Sequence, residues 1–182
     1  MLFDDEAIYI GARIENTEPI NFRLGRRDMD FSSSDWFQVS LDTFTDRRNA
    51  VRFSVNPGGV KRDAIVTGDY FGTGGPFTGA DGELAWDAVW DAVTSIDAHG
   101  WTAELRIPFS QLRFAKAAEA PVQGEPDEEL SRGVEQTWGV QFETIDARRQ
   151  ELAMFAYTPK ADLGGVSTFG NLEGLRVRPS TK

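Results

Sequence analysis

Trp86 and Trp90 lie on one face of an alternating run, with only Ala88 and Ala92 beside them. An indole flanked by alanines keeps its ring face open and can take the apolar face of a sugar ring. Nearby acids, amides and guanidinium groups would then hold the hydroxyls. The same small neighbours also suit two buried indoles, because opposing side chains can fill between them. Trp36 shares a face with Gln38, Ser40 and Asp42, opposite Phe37, Val39 and Leu41, and is expected to point to solvent. Trp101 and Trp138 share faces with Leu105, Ile107, Val140 and Phe142 and are expected in the core. Three basic clusters carry an acid beside them: Arg26-Arg27-Asp28, Asp46-Arg47-Arg48 and Lys61-Arg62-Asp63. Guanidinium forks suit bidentate contacts to hydroxyls or carboxylates, and equally suit ion pairs that orient loops. The candidate sugar contacts are therefore Trp36, Trp86, Trp90, Arg48 and Asp63.

Other chemistries find less support. Asp28-Met29-Asp30-Phe31-Ser32 opens like a calcium loop, but Ser33 stands at the required glycine and Val39 at the bidentate glutamate. This is not an EF-hand. A structural calcium held by loop carboxylates, Asp28 and Asp30 foremost, is the metal expectation; Asp4, Asp5, Asp69 and Asp81 are further loop acids that also suit a solvated surface. The chain has no cysteine, so neither a disulfide framework nor a zinc–thiolate site exists. His99 is the single histidine and sits in a corner beside Gly100, without a Gly-x-Ser-x-Gly elbow, which argues against a Ser-His-Asp hydrolase. With 29 acidic residues, a glycosidase pair can always be nominated, so that signal has no specificity. No catalytic residue is nominated. Gly72-Thr73-Gly74-Gly75 lacks the Lys-Ser/Thr of a phosphate loop.

Period-two alternation places these side chains on half-buried strands. Residues 7–15 set Ile8, Ile10, Ala12 and Ile14 against Tyr9, Gly11 and Arg13. Residues 35–43 repeat the pattern, and 51–55 and 60–65 flank Asn56-Pro57-Gly58-Gly59, a hairpin turn. Residues 86–93 and 101–107 form strands around the His99-Gly100 corner, followed by one helical turn near 109–112. Residues 115–120 also carry helical spacing. Residues 137–144 form a strand, and 151–158 an apolar run ended by Pro159. Segments 72–82 and 115–134 are rich in Gly, Pro and Glu and read as solvated loops. The pattern gives an all-β fold, one antiparallel β-sandwich of jelly-roll or immunoglobulin-like type with one short helical turn, as a single domain over 1–182.

The formal net charge of −10 and pI near 4.6 argue against nucleic acid and anionic membrane surfaces, which need a basic face. Neutral or cationic ligands and divalent cations remain. No apolar run reaches membrane-spanning length, so no direct insertion by this domain is expected. The start, MLFDDEAIYIG, is acidic and is not a signal peptide.

Several motifs in fixed order carry a family resemblance: Ser34-Asp35-Trp36-Phe37 with Leu41-Asp42-Thr43-Phe44, Phe53-Ser54-Val55-Asn56-Pro57-Gly58-Gly59, Trp86-Asp87-Ala88-Val89-Trp90, Gly100-Trp101-Thr102-Ala103-Glu104, Ile107-Pro108-Phe109, Trp138-Gly139 and Phe169-Gly170-Asn171-Leu172. Over nearly the whole chain this resembles the family 9 carbohydrate-binding-module-like domain, of the kind preceding an outer-membrane-type β-barrel in bacterial proteins. The resemblance implies a β-sandwich, a non-catalytic role with an oligosaccharide or polysaccharide partner, structural calcium, and an extracellular or periplasmic, outer-membrane-associated location. It also implies an alternative, a structural cap for a barrel with no sugar binding. The family's upstream Asp-Gly…Leu-Asp-Glu…Trp stretch is missing and the chain stops where a barrel would begin, so truncation at both ends is expected. A lost edge strand would invite edge-strand self-association.

Overall fold

The computed structural model describes residues 1–16, 18–67, 85–114, 134–157 and 165–177. The expected loops at 72–82 and 115–134 lie outside the described residues but for Val134, which opens a strand; Asp69, Asp81 and the helical spacing at 115–120 lie outside them entirely. Ten strands form two antiparallel sheets: β1 (Leu2–Phe3), β2 (Ala7–Glu15), β3 (Trp36–Asp42), β4 (Asn49–Val55), β5 (Lys61–Thr67), β6 (Asp91–Asp97), β7 (Gly100–Pro108), β8 (Val134–Asp146), β9 (Glu151–Met154) and β10 (Gly170–Val177). The smaller sheet runs β1-β2-β7-β6. The larger runs β10-β8-β3-β4-β5, with β9 paired to the far end of β8. This is the antiparallel β-sandwich expected from the alternation.

The inner faces pack into one core. Ile8 and Ile10, Trp101 through Ile107 in alternation, and Phe37, Val39, Leu41, Phe53, Val55, Trp138 and Val140 meet there. On β2 and β7 the burial alternates as the sequence does, with Tyr9, Gly11 and Arg13 turned outward. The first strand of the Trp86 hairpin begins later than its alternation suggests: residues 86–90 run extended ahead of β6, yet Ala88 and Trp90 still face inward and Asp87 and Val89 outward. Among the described residues three 3-10 turns punctuate the strands, at Phe31–Ser33, Phe109–Gln111 and Val166–Thr168. The second is the expected helical turn; the other two carry no periodic signal.

Side-chain clips close the side of the sandwich where β5 and β6 come together. Arg27 donates from Nε to Asp63 Oδ1 at 3.0 Å and from Nη2 to the Ala88 carbonyl at 2.7 Å, while the Ala88 N–H donates to Asp63 Oδ2 at 2.7 Å. Lys61 Nζ donates to the Trp90 carbonyl and lies 5.1 Å over the Trp90 ring. The 56–59 turn closes as expected, with Gly59 N–H donating to Asn56 O at 2.9 Å and Gly59 at φ +79°. Among the described residues β6 is an edge strand, and Asp91 and Asp97 at its two ends are charges of the kind that oppose strand addition.

Gly100 begins β7 at φ +147°, and a Cβ there would stand 2.0 Å from the Ile14 carbonyl oxygen across the β2–β7 pair. Gly100→Ala is therefore expected to cost about 1–3 kcal/mol in backbone strain, with steric overlap in addition. Gly11 has nothing within 4 Å of its Cβ position, so Gly11→Ala should stay within about 0.5 kcal/mol of the parent. Urea unfolding of the two variants checks both values.

Candidate functional site

The structure separates the residues expected to contact a sugar. Trp36 is fully buried, which corrects its expected exposure: its ring meets Phe31 edge-on at 5.2 Å and packs with Ile145 and Val60. Trp90 is buried in the main core, edge-on to Phe53 at 5.2 Å, and Trp86 is half-buried against the same ring at 5.7 Å. The paired indoles thus form core and core rim rather than a platform. Asp63 is buried too, with its carboxylate accepting from Arg27 and the Ala88 N–H. It sits opposite Phe53, on the core face, whereas Trp36 lies on the other face of the larger sheet. Arg48 alone of the five is fully exposed; its N–H donates to Asp46 Oδ1.

Asp28 and Asp30 are engaged separately. Asp30 caps the Phe31 turn, accepting from Ser32 N–H at 2.9 Å, and its carboxyl is held low chiefly by the Ser32 hydroxyl and N–H. Asp28 accepts from Asp63 N–H at 3.3 Å; burial, and then the Asp63 charge, push it up. The Arg27 guanidinium already supplies the cation beside Asp28 and Asp63. Among the described residues no three histidine or acidic side chains converge as a metal site, and the Asp28 and Asp30 carboxylates are engaged with different partners.

The informative surface is the outer face of the larger sheet. A strand face turned away from the core is ordinarily solvated, yet all seven residues of β3 are buried. The register places Gln38 and Ser40 beside Ser54 and Arg52 on one side and Glu143 and Gln141 on the other. All six side chains are buried. Ser54 Oγ donates to Gln38 Oε1 at 3.1 Å, Arg52 Nε donates to Ser40 Oγ at 2.9 Å, and Arg52 Nη2 lies 3.5 Å from Glu143 Oε2. Gln141 brackets Ala156, accepting from its N–H at 2.8 Å and donating to its carbonyl at 2.9 Å. Arg62 closes one end, 4.2 Å under the Phe31 ring, with Nη1 donating to the Met29 carbonyl. Buried polar groups on this scale are uncommon outside functional sites and paired networks. The arrangement is an array of fixed donors and acceptors with an aromatic ring at its end, which can bind a polyhydroxylated ligand and shows no nucleophile–base pair.

A cleft of about 170 Å³ opens at the Trp36 end, where the ends of β2, β3, β7, β8 and β9 meet. Ile14, Trp36, Trp101 and Ala153 line it with Glu15, Asp146 and Glu151. The indole N–H groups of Trp36, Trp90, Trp101 and Trp138 are buried without an acceptor, and the first and third line this cleft. Asp35, at its edge, accepts from Asn21 N–H at 2.9 Å and Ala147 N–H at 3.0 Å; burial pushes its carboxyl up against those two donors. Beyond Ala153 the same strand face carries Phe155 and Tyr157, 66% and 81% exposed. Alternation in the 151–158 run pointed to a strand there, but not to an uncovered aromatic face.

Comparison with known proteins follows the same lines. No family model matches the chain, and no curated protein matches it in sequence. Among solved structures the chain is similar to a carbohydrate binding module family 9 domain from Caldicellulosiruptor kristjanssonii in complex with cellotriose. The TM-score is 0.52 at 17% identity, over 99% of this chain and 73% of that one. It is equally similar to such a domain from the same organism in complex with glucose, with TM-score 0.53 at 17% identity over 99% and 75%. At this identity the likeness establishes the fold, a family-9-like β-sandwich along the whole chain.

Two expectations follow from the buried polar groups. Arg52→Met or Glu143→Gln alone leaves one charge buried without its partner and should cost about 3–5 kcal/mol, while the double variant should recover much of that loss. A double-mutant cycle by urea unfolding measures the coupling. Asp35 binds its proton more tightly folded than unfolded. Its contribution is fully present below the unfolded aspartate pKa of about 3.9 and is lost as pH rises through the higher folded value. The stability difference between parent and Asp35→Asn should therefore move against the parent as pH rises above ~4, as a pH series of unfolding curves would show.

Proposed function

We propose that the chain is a non-catalytic carbohydrate-binding module whose ligand is held on the outer face of the larger sheet. The observation that carries this reading is the array of Gln38, Ser40, Arg52, Ser54, Gln141 and Glu143, a sheet face built from hydrogen-bonding side chains held in fixed positions. Amide, hydroxyl, guanidinium and carboxylate groups at strand spacing match the alternating hydroxyls of a sugar, each of which both donates and accepts. Phe31, buried over Arg62 and edge-on to Trp36, is the aromatic ring at the end of the array. The fold likeness supports the same class, since the two family 9 structures hold cellotriose and glucose.

Cellotriose and glucose titrated by calorimetry and tryptophan fluorescence test the reading. Binding by the parent is expected, with Gln38→Ala, Ser54→Ala and Phe31→Ala each weakening it about tenfold, equivalent to about 1.4 kcal/mol. Arg48→Ala, away from the array, should change affinity less than twofold. No heat and no spectral change with any of a panel of neutral oligosaccharides would remove the proposal.

A further inference from the structure

One surface lies outside the polar array. Along β9 and its continuation, Ala153, Phe155 and Tyr157 share a face, and Ala153 forms part of the cleft wall with Trp36 and Trp101. The two aromatic rings are far more exposed than any tryptophan described in the chain. The position of Phe155 is nevertheless fixed. Phe155 N–H donates to the Phe142 carbonyl at 2.9 Å, its ring meets Phe142 edge-on at 5.8 Å, and Phe142 stacks on Phe37 at 6.3 Å. Gly170 leaves room for the Phe155 ring, since a Cβ there would approach it to 3.1 Å. The Gln141 bracket on Ala156 holds the backbone between the two rings. An exposed ring held as firmly as Phe155, with a second exposed ring two positions on, is the uncommon observation, since scattered single apolar residues on a surface need no explanation.

Charge narrows the ligand. The adjoining cleft carries Glu15, Asp146 and Glu151 on its rim, and the adjacent hollow adds Glu18 and Asp35 against Arg148 and Arg149, which leaves acids in excess. The guanidinium of Arg149 there lies 2.9 Å from Glu18, 3.9 Å from Asp146 and 4.0 Å from Glu151, so it is shared among three acids. These carboxylates do not converge on a point as metal ligands do. Aromatic faces bordered by spread carboxylates are the setting that recognises an ammonium group, through cation–π contact and charge-assisted hydrogen bonds. Trp36 and Trp101 supply the apolar part of the cleft wall.

We propose that this cleft and the Phe155–Tyr157 strip form a second saccharide contact surface, selective for amine-bearing sugar chains such as oligomers of glucosamine. The inference rests on the carbohydrate-binding reading and extends it to a face of the larger sheet opposite the polar array. Stacking holds the rings, the rim acids hold the ammonium groups, and acidic sugar chains are repelled.

The test uses the whole chain and three hexasaccharides at pH ~6, where aspartate and glutamate are ionised: the glucosamine hexamer, its N-acetylated form and cellohexaose. The glucosamine hexamer should bind about tenfold more tightly than the N-acetylated form, an advantage that ~1 M salt removes by cutting the screening length to about 3 Å. Tyr157→Ala, Phe155→Ala and Glu151→Gln should each remove most of that advantage while leaving cellotriose affinity within twofold. Fluorotyrosine labelling gives a readout independent of affinity: the fluorine resonance assigned by Tyr157→Phe should shift with the glucosamine hexamer. Equal or tighter binding of the N-acetylated form would overturn the proposal. So would an equal loss from Glu104→Gln, on the remote face of the smaller sheet, because the attraction would then be the field of the whole acidic chain. Cellotriose binding without amine preference defeats this inference alone; no binding by any saccharide defeats the carbohydrate reading itself.

Discussion

Strand β3 is buried on both faces, and much of the larger sheet answers to that constraint. Its inner face is apolar and needs only shape. Its outer face carries Gln38, Ser40 and Asp42, and each buried polar atom left without a partner would cost about 1–3 kcal/mol. Neighbouring strands therefore carry the complements: Ser54 for Gln38, Arg52 for Ser40, Glu143 for Arg52. Asp42 is resolved differently, accepting from the N–H groups of Phe44, Asp46 and Arg47 in the loop that follows. Gly139 opposite it has no room for a side chain, since a Cβ would sit 2.9 Å from Asp42 Cβ. A network of this kind contributes little net stability over apolar packing. What it supplies is position: donors and acceptors held at strand spacing.

Alternation along the chain gave the architecture reliably. Faces on β2, β3, β7 and the 86–90 segment are assigned correctly, because period two follows from backbone geometry alone. The 56–59 turn and the helical exit after Pro108 follow equally from local chemistry. Exposure is a different quantity. Alternation put Trp36 on the face opposite the core, and that is where it is. The inference to solvent failed because Phe31, on a three-residue turn with no periodic signal, packs over that face. Asp63 failed for a related reason: a carboxylate on the core face needed a cation, and Arg27, 36 positions away in sequence, supplies it.

The converse error concerns Phe155 and Tyr157. An apolar run on a strand reads as core when its partner sheet extends over it. β9 pairs with the far end of β8, at the margin of the larger sheet, and the rings there remain open. Sheet width is a tertiary property, absent from any window of the sequence. Leu152, one step out of phase, is the residue of that strand which packs against the small cluster around Trp36 and Phe31.

Charge follows the same division. The chain carries ten more acids than bases, yet two of its arginines, Arg52 and Arg62, are buried on the outer face of the larger sheet. Acids dominate the rim of the end cleft, where solvent bears part of the cost of their crowding. The two sides of the sheet thus differ in kind. One is a closed array in which donors and acceptors are paired and local charge is balanced. The other is an open aromatic edge in a negative field. Trp36 stands between them, its ring packed under the array and lining the cleft. Its burial serves the fold: an indole packed against Phe31, Val60 and Ile145 seats the 3-10 turn on the outer face and at the same time walls the cleft.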